Sequence, residues 1–471
     1  MRKPHTSSAL LMCLLAVLVL TACSTQDPAP NQQYTLDELL TIAHERRLAI
    51  QPPDYQWILD EFWNREPAVP LQPYGGDGAV SPLYMTAHGA IDDTMLLFHV
   101  LRSAYGPYIY FGGDDVFLPL RDSLIDEINN AVNDDGEMRI SDFHRIVLAG
   151  LRSVINDNHF IFGGSTVGQS ATFFTSDTPF DRDEHGFWHR ESGLRVVEIE
   201  GHDMYGVLRV SMDEQANVFY SAVIYTLEPA GLPRRTIYLV MEDGSRYGLV
   251  LQRLSTTRMP HTPPSLEWVD GVAVVTVRDM GALSPLPWLS ATQNRRWIAE
   301  TRTFMSYADK LQDEPVVIID VRGNPGGMEY VSASFLWGLT GRNVSANFVE
   351  VWRAEILHQP RLTPLIEQNQ LIIILTDRNV GSGAEWFTDR LFSMTNTFVI
   401  GQNTSGTLVA RSSSTSLPLP NSGFAAQFGG SVFIYPDGHF TEGIGLIPDI
   451  WVHGDALTAA LALVDANFNL D

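Results

Sequence analysis

The stretch LIIILTDRNVGSGAEWFTDRL, Leu371 to Leu391, joins two patterns. Leu371–Leu375 is an unbroken branched apolar run, the mark of a strand buried on both faces. Glu385 to Met394 then reads as a helix. Ser382 stands at the junction. With Glu385 three residues on it makes S-x-x-E, a capping-box pattern in which the hydroxyl accepts a first-turn N–H and the glutamate reaches back. Taken alone, the motif reads as a cap. A junction that exposes a nucleophile also puts it at a helix N-terminus, so the rest of the chain has to decide.

The same alternation extends on both sides. GVAVVTV (271–277) reads as a strand and Arg295 to Leu311 as helical. PVVIIDV (315–321) is a second buried strand, a helix follows NPGG, and TFVIG (397–401) is a further strand. Strand, helix, strand in succession implies parallel pairing through right-handed crossovers. Ligands bind such sheets beyond the carboxyl ends of the strands. Ser382 falls there, and so does DVRGNPGG, Asp320 to Gly327. Those glycines suit a tight turn at positive φ. They also leave N–H groups free to face a site. Gly383 with Gly326 or Gly327 could supply the two donors of an oxyanion hole.

The first residues, MRKPHTSSALLMCLLAVLVLTACSTQ, have a basic start and an apolar run of about a dozen residues, too short to span a bilayer. They fit a signal peptide over 1–22. The ending Leu20-Thr21-Ala22-Cys23 resembles a bacterial lipobox, which implies export and a lipid on Cys23. An ordinary cleavage site with an accidental cysteine is the other reading. Polar residues 23–33 read as a tether to a membrane. Cys13 and Cys23 are the only cysteines, so the exported body has no thiol, no disulfide, no cysteine nucleophile and no Cys-ligated zinc. The formal charge of −24 opposes nucleic acid and anionic surfaces as partners.

Residues 34–163 are mostly helical in pattern: TLDELLTIAHERRLAI follows a threonine cap, and Ser141-Asp142 opens another helix. Residues 164–262 change texture to short β-rich runs, ending in a hairpin with Asp243-Gly244 at its turn. Residues 263–471 carry the α/β alternation. The serine-rich run 411–416 reads as a loop or edge.

A nucleophilic serine needs a base. Among twelve histidines of the exported body, His185 and His189 are spaced i,i+4 beside acids, but Gly186 and the aromatics oppose a helix there. Residues 133–142 half resemble a calcium loop whose first ligand position would be Ala131. Neither makes a convincing site, so no metal and no cofactor is expected. His159, in LRSVINDNHFIFGG, follows a helical run and precedes an apparent strand. Alone, its DNH reads as a turn.

Four motifs in order change that: DVRGNPGG, VGSGAE, GQNTSG and YPDGHFTEGIGLIPDIWV. With the DNH segment they resemble the tail-specific, or C-terminal processing, serine peptidase family over roughly Val269 to His453. The resemblance implies a crotonase-like, tail-specific-protease-type α/β catalytic domain (α+β overall) acting on a peptide or protein substrate. It implies Ser382 as nucleophile. Many members place a lysine base within T-F-G-K-G. The similar segment here is T-S-G-T-L, and that position is Thr407, which cannot act as a base. Members resembling the tricorn core use serine with an upstream histidine and a downstream glutamate, which match His159 and Glu442. A serine neighbouring that histidine is Asn158 here. Asp157 is either a second orienter or a turn-forming residue. The β-rich region lies where members carry a PDZ-like domain. It lacks a clear Gly-Leu-Gly-Phe loop, so a degenerate copy and an unrelated sandwich both stay open. The expected activity rises near neutral pH as His159 loses its proton.

Two other classes compete. One is a non-catalytic ligand- or peptide-binding lipoprotein on the same fold, disfavoured by the joint presence of Ser382, His159 and Glu442. The other is an α/β-hydrolase-type esterase, which expects G-x-S-x-G, whereas Val380 and Ala384 hold the glycine positions. The sequence leaves the oligomeric state open.

Overall fold

The computed structural model describes residues 34–64, 83–227, 231–286, 289–360, 365–411 and 415–468. The leader, the tether and Cys23 lie outside them, as do residues 412–414 of the serine-rich run. Among the described residues no helix is long and apolar enough to cross a membrane.

The fold is mixed α/β, built on a 14-stranded sheet. The β-rich region contributes β1 (Thr172–Thr175), β2 (Phe180–Asp183), β3 (Gly186–His189), β4 (Leu194–Ile199), β5 (Leu208–Met212), β6 (Val218–Thr226), β7 (Arg234–Met241) and β8 (Arg246–Arg253). The α/β region contributes β9 (Ser265–Val269), β10 (Val272–Thr276), β11 (Val316–Asp320), β12 (Leu371–Thr376), β13 (Thr397–Gly401) and β14 (Ile450–Val452). Their spatial order is β9-β10-β11-β12-β13-β14-β5-β6-β1-β8-β7-β4-β3-β2. From β10 through β14 to β5 the neighbours run parallel, as strand–helix alternation requires.

Two features were not visible in the local pattern. First, β5 pairs with β14, with Trp451 opposite Ser211, so sheet hydrogen bonds cross the boundary drawn at residue 262. A further pairing, Tyr220 with Phe180, joins β6 to β2 and closes the β-rich strands into a barrel. Second, α1 (Leu36–Leu48), although first in the helical region, packs on the α/β sheet. Its Leu39 and Ala43 share a core with Ala459 and Leu463 of a C-terminal helix, Ala456–Asn467. Arg47 anchors it through Asp449 Oδ2 at 2.6 Å.

The other sheet face is covered by helices Ala291–Met305, Glu329–Thr340 and Gly383–Leu391. Phe304 stacks on Phe335 at 4.2 Å, and Phe387 meets both rings edge-on. Helices on both faces explain why every residue of β11 and β12 is buried. Each large aliphatic side chain so placed contributes about 1.5–3 kcal/mol.

The helical region proper holds α2 (Gln56–Asn64), α3 (Ala87–Ala104), α4 (Gly113–Ala131) and α5 (Ile140–Val154). Helix α5 starts at Ile140, just before the expected Ser141-Asp142. Its core of Leu97, Phe117, Phe143 and Leu151 is continuous with Val349, Phe428 and Val432 of the α/β region. Just beyond α5, Ile161–Phe162 pairs with Ala426 and Gln427. The turn carrying His159 is therefore clamped between a helix end and a strand pairing. The remaining helices continue the numbering as α6 (Ala291–Met305), α7 (Glu329–Thr340), α8 (Gly383–Leu391) and α9 (Ala456–Asn467).

Candidate active site

Ser382 occupies the turn between β12 and α8, with φ 49° and ψ −122°. For a residue with a Cβ this is a sparsely populated conformation that costs on the order of 1–3 kcal/mol. Its surroundings hold it there. Gly381 N–H donates to Asn324 O at 3.0 Å, and Ser405 N–H donates to Val380 O at 2.8 Å. Glu385 accepts the Ser382 N–H at 3.0 Å, the glutamate half of a capping box. The Glu385 N–H goes to the Ser382 carbonyl at 2.9 Å. The hydroxyl itself is turned to a histidine: Ser382 Oγ lies 3.1 Å from His159 Nε2, across 223 residues of chain.

His159 is fixed at three points. Its Nδ1 lies 2.8 Å from the Ala410 carbonyl, which can only accept, so Nδ1 carries the proton and Nε2 presents its lone pair to Ser382. Its backbone N–H donates to Asp157 Oδ1 at 2.8 Å, an Asx-type turn. The preceding Asn158 N–H donates to Glu442 Oε1 at 2.8 Å. The ring is largely enclosed by protein, and lost hydration pushes its pKa down to about 4, against a smaller upward pull from Ala410. That moves the expected ionisation well below neutral: His159 is an uncharged acceptor throughout the physiological range.

Glu442 hydrogen-bonds neither His159 nor Ser382. Its Oε2 accepts Leu408 and Val409 N–H, each at 2.8 Å, while Oε1 holds Asn158. It thus ties the turn bearing His159 to the segment that leads to Ala410. Burial raises its pKa well above the carboxylate range, and the Asp157 charge raises it further. Asp157 is also buried, which raises its pKa to about 6, and its Oδ2 accepts from Tyr105 OH at 2.9 Å. Asn158 Nδ2 donates to Gly406 O at 2.9 Å.

The glycines differ in what they offer. Gly326 N–H is already donated to Asn324 Oδ1 at 2.9 Å. Gly326 instead contributes its lack of a side chain: a Cβ there would lie 2.7 Å from Ser382 Cβ. The N–H groups of Gly383 and Gly327 have no acceptor among the described residues. Those two remain as candidate oxyanion donors.

Some site residues carried no usable sequence signal. The Ala410 carbonyl had none, since every residue has one. Glu385 was read only as a cap, yet it also accepts Thr404 Oγ1, Gly406 N–H and Thr407 N–H at 2.6, 2.7 and 2.9 Å. It binds the Ser382 turn to the 404–407 loop. His185 sits at an exposed hairpin turn and His189 hydrogen-bonds Ser192 at 2.9 Å. Among the described residues no group of three or more His, Cys, Asp and Glu is arranged to hold a metal ion.

Comparison with known families bears on this geometry. Residues 271–452 match the model of peptidase family S41. Over that segment the chain is similar to the serine peptidases of that family. Its substrate class is therefore peptide or protein. No curated protein matches the chain. Among solved structures it is similar to mature CPAF, at 13% identity and TM-score 0.44, covering 82% of this chain and 99% of that one. It is also similar to the photosystem II D1 C-terminal processing protease, at 12% identity and TM-score 0.39, covering 81% and 98%. The tricorn protease matches at 15% identity and TM-score 0.33, over 80% of this chain and 37% of that one. At these scores the likenesses carry nothing further. The base type follows from the chain's own residues. Its only lysines are Lys3 and Lys310. Lys310 lies over the Tyr307 ring, 5.5 Å from its centroid. Thr407 shares a 2.9 Å hydrogen bond with Ser405 Oγ.

Proposed function

We propose that the chain is an exported, lipid-anchored serine peptidase working through an acyl-enzyme, with Ser382 as nucleophile and His159 as base. The 3.1 Å contact between Ser382 Oγ and His159 Nε2 carries this reading. The Ser382 O–H points its proton at a neutral imidazole lone pair. As Oγ attacks the scissile carbonyl, His159 takes that proton and returns it to the leaving amine. Water then enters along the same path, and His159 again moves the proton as the acyl ester is cleaved. The tetrahedral oxyanion is held by Gly383 and Gly327 N–H. The imidazolium formed on the way is met at Nδ1 by a carbonyl dipole rather than a carboxylate. Glu442 and Asp157 act as positioning residues on the backbone that carries His159. Anchoring through Cys23 in a bacterial cell envelope rests on the leader and the L-T-A-C ending.

Covalent labelling tests the mechanism. The soluble body, treated with a serine-directed phosphonate, is expected to carry its adduct on Ser382, and His159→Ala is expected to abolish the labelling. An unlabelled but folded protein would instead favour the binding-lipoprotein reading. For the anchor, Cys23→Ser is expected to release the protein from the membrane fraction.

A further inference from the structure

The arginines behind the active site are well supplied with acceptors, with one exception. Arg378 donates to Ile444 O at 2.6 Å and Gly443 O at 3.1 Å. Arg47 meets Asp449. Arg46 caps the Ile447 and Pro448 carbonyls at 2.5 and 2.7 Å. The guanidinium of Arg209, on β5, has no hydrogen bond or ion pair among the described residues. It is only partly exposed, and it lines a cavity of about 140 Å³ between the barrel and the 438–447 segment. That volume suits a few waters or one small anion. Tyr225, Asn403, His439 and Thr441 also line it. Burial lowers the Arg209 pKa to about 10, and the Arg46 charge lowers it further.

A half-buried guanidinium near a second cation, with no carboxylate hydrogen-bonded or ion-paired to it and Asp203 felt only as a weaker, more distant charge, is an arrangement that a bound anion would relieve. The chain's charge of −24 repels anions at long range, so such a site has to be made locally. We propose that this cavity binds a small anion, a carboxylate or phosphate group, on Arg209. The site is separate from Ser382 and does not depend on the catalytic reading. Thr441 and Ile444 of its wall flank Glu442, so an occupant touches the loop that supports the base.

The test titrates the full chain with inorganic phosphate in one arm and acetate in the other, each against chloride at matched ionic strength. A saturable rise in thermal midpoint, on the order of 2 °C, is expected in at least one arm. The arm that saturates at lower concentration names the source: phosphate group or carboxylate. Arg209→Gln is expected to flatten the response, and Arg209→Lys to weaken it. The side-chain Nε–H resonance of Arg209, assigned by its loss in Arg209→Lys, is expected to shift with the same saturation in the unmodified chain. That readout keeps the test decisive if the glutamine variant does not fold. Wild-type responses equal to chloride in both arms, or an unmoved Arg209 resonance, would overturn the site.

Discussion

Two of the serine–histidine hydrogen bonds among the described residues join residues more than 200 positions apart, and they are built for different ends. Ser221 Oγ lies 2.6 Å from His453 Nε2 and 2.6 Å from Ser211 Oγ. By distance alone it is the tighter pair. Yet Ser221 is fully buried in the regular strand β6, where no carbonyl of a substrate can reach it. Ser382 is partly exposed, sits at positive φ on a strand-to-helix turn, and is followed by a glycine whose N–H is unclaimed. A serine–histidine contact is therefore not itself a catalytic signature. Access, backbone conformation and neighbouring free donors separate a nucleophile from a core hydrogen bond.

Four substitutions or titrations would break or sharpen that contrast. Ser382→Ala is expected to lower peptide turnover by roughly 10⁴-fold or more with little change in unfolding midpoint. Retained turnover would transfer the role elsewhere. Glu442→Gln is expected to lower kcat by roughly 10- to 100-fold with KM less affected, because an amide cannot accept all three N–H groups and the base shifts. A pure stability loss with unchanged kcat would reduce Glu442 to a core residue.

The pH profile distinguishes an enclosed imidazole from an ordinary one. The folded pKa of His159 lies below its unfolded value of about 6.5, at about 4, so the group stays neutral as pH falls through 6. Turnover is expected to hold through pH 6 and to decline only as pH approaches that lower value. A half-fall near 6.5–7 would mean the ring is solvated in the working enzyme. Smallest is Ser221→Ala: unchanged turnover, with a stability loss of about 1–2 kcal/mol in denaturant unfolding. Loss of activity there would erase the distinction between the two pairs.

Much of this was legible in short runs of sequence. Apolar runs such as Val316–Asp320 and Leu371–Thr376 announce strands buried on both faces, because helices must cover both sides of a parallel sheet. The turn residues after them mark where a site can open. Ser382 and His159 were nameable from motifs. What their motifs left open was which atoms meet. Glu442, matched only as the family's downstream glutamate, bonds the Asn158, Leu408 and Val409 backbones. The imidazole's partner is the Ala410 carbonyl, which no side-chain pattern can announce.

By itself, then, the sequence determined the order of strands and helices, the strand ends where chemistry gathers, and the serine and histidine proposed to supply it. Those are local properties, set by periodicity and turn chemistry over a few residues. Only the tertiary structure decided that α1 covers the catalytic sheet, that the barrel shares its hydrogen bonds, that Gly326 N–H is occupied, and that Arg209 faces a cavity without an acid. Each depends on which distant backbone groups come into register, and that is fixed by packing across hundreds of residues rather than by any stretch of them.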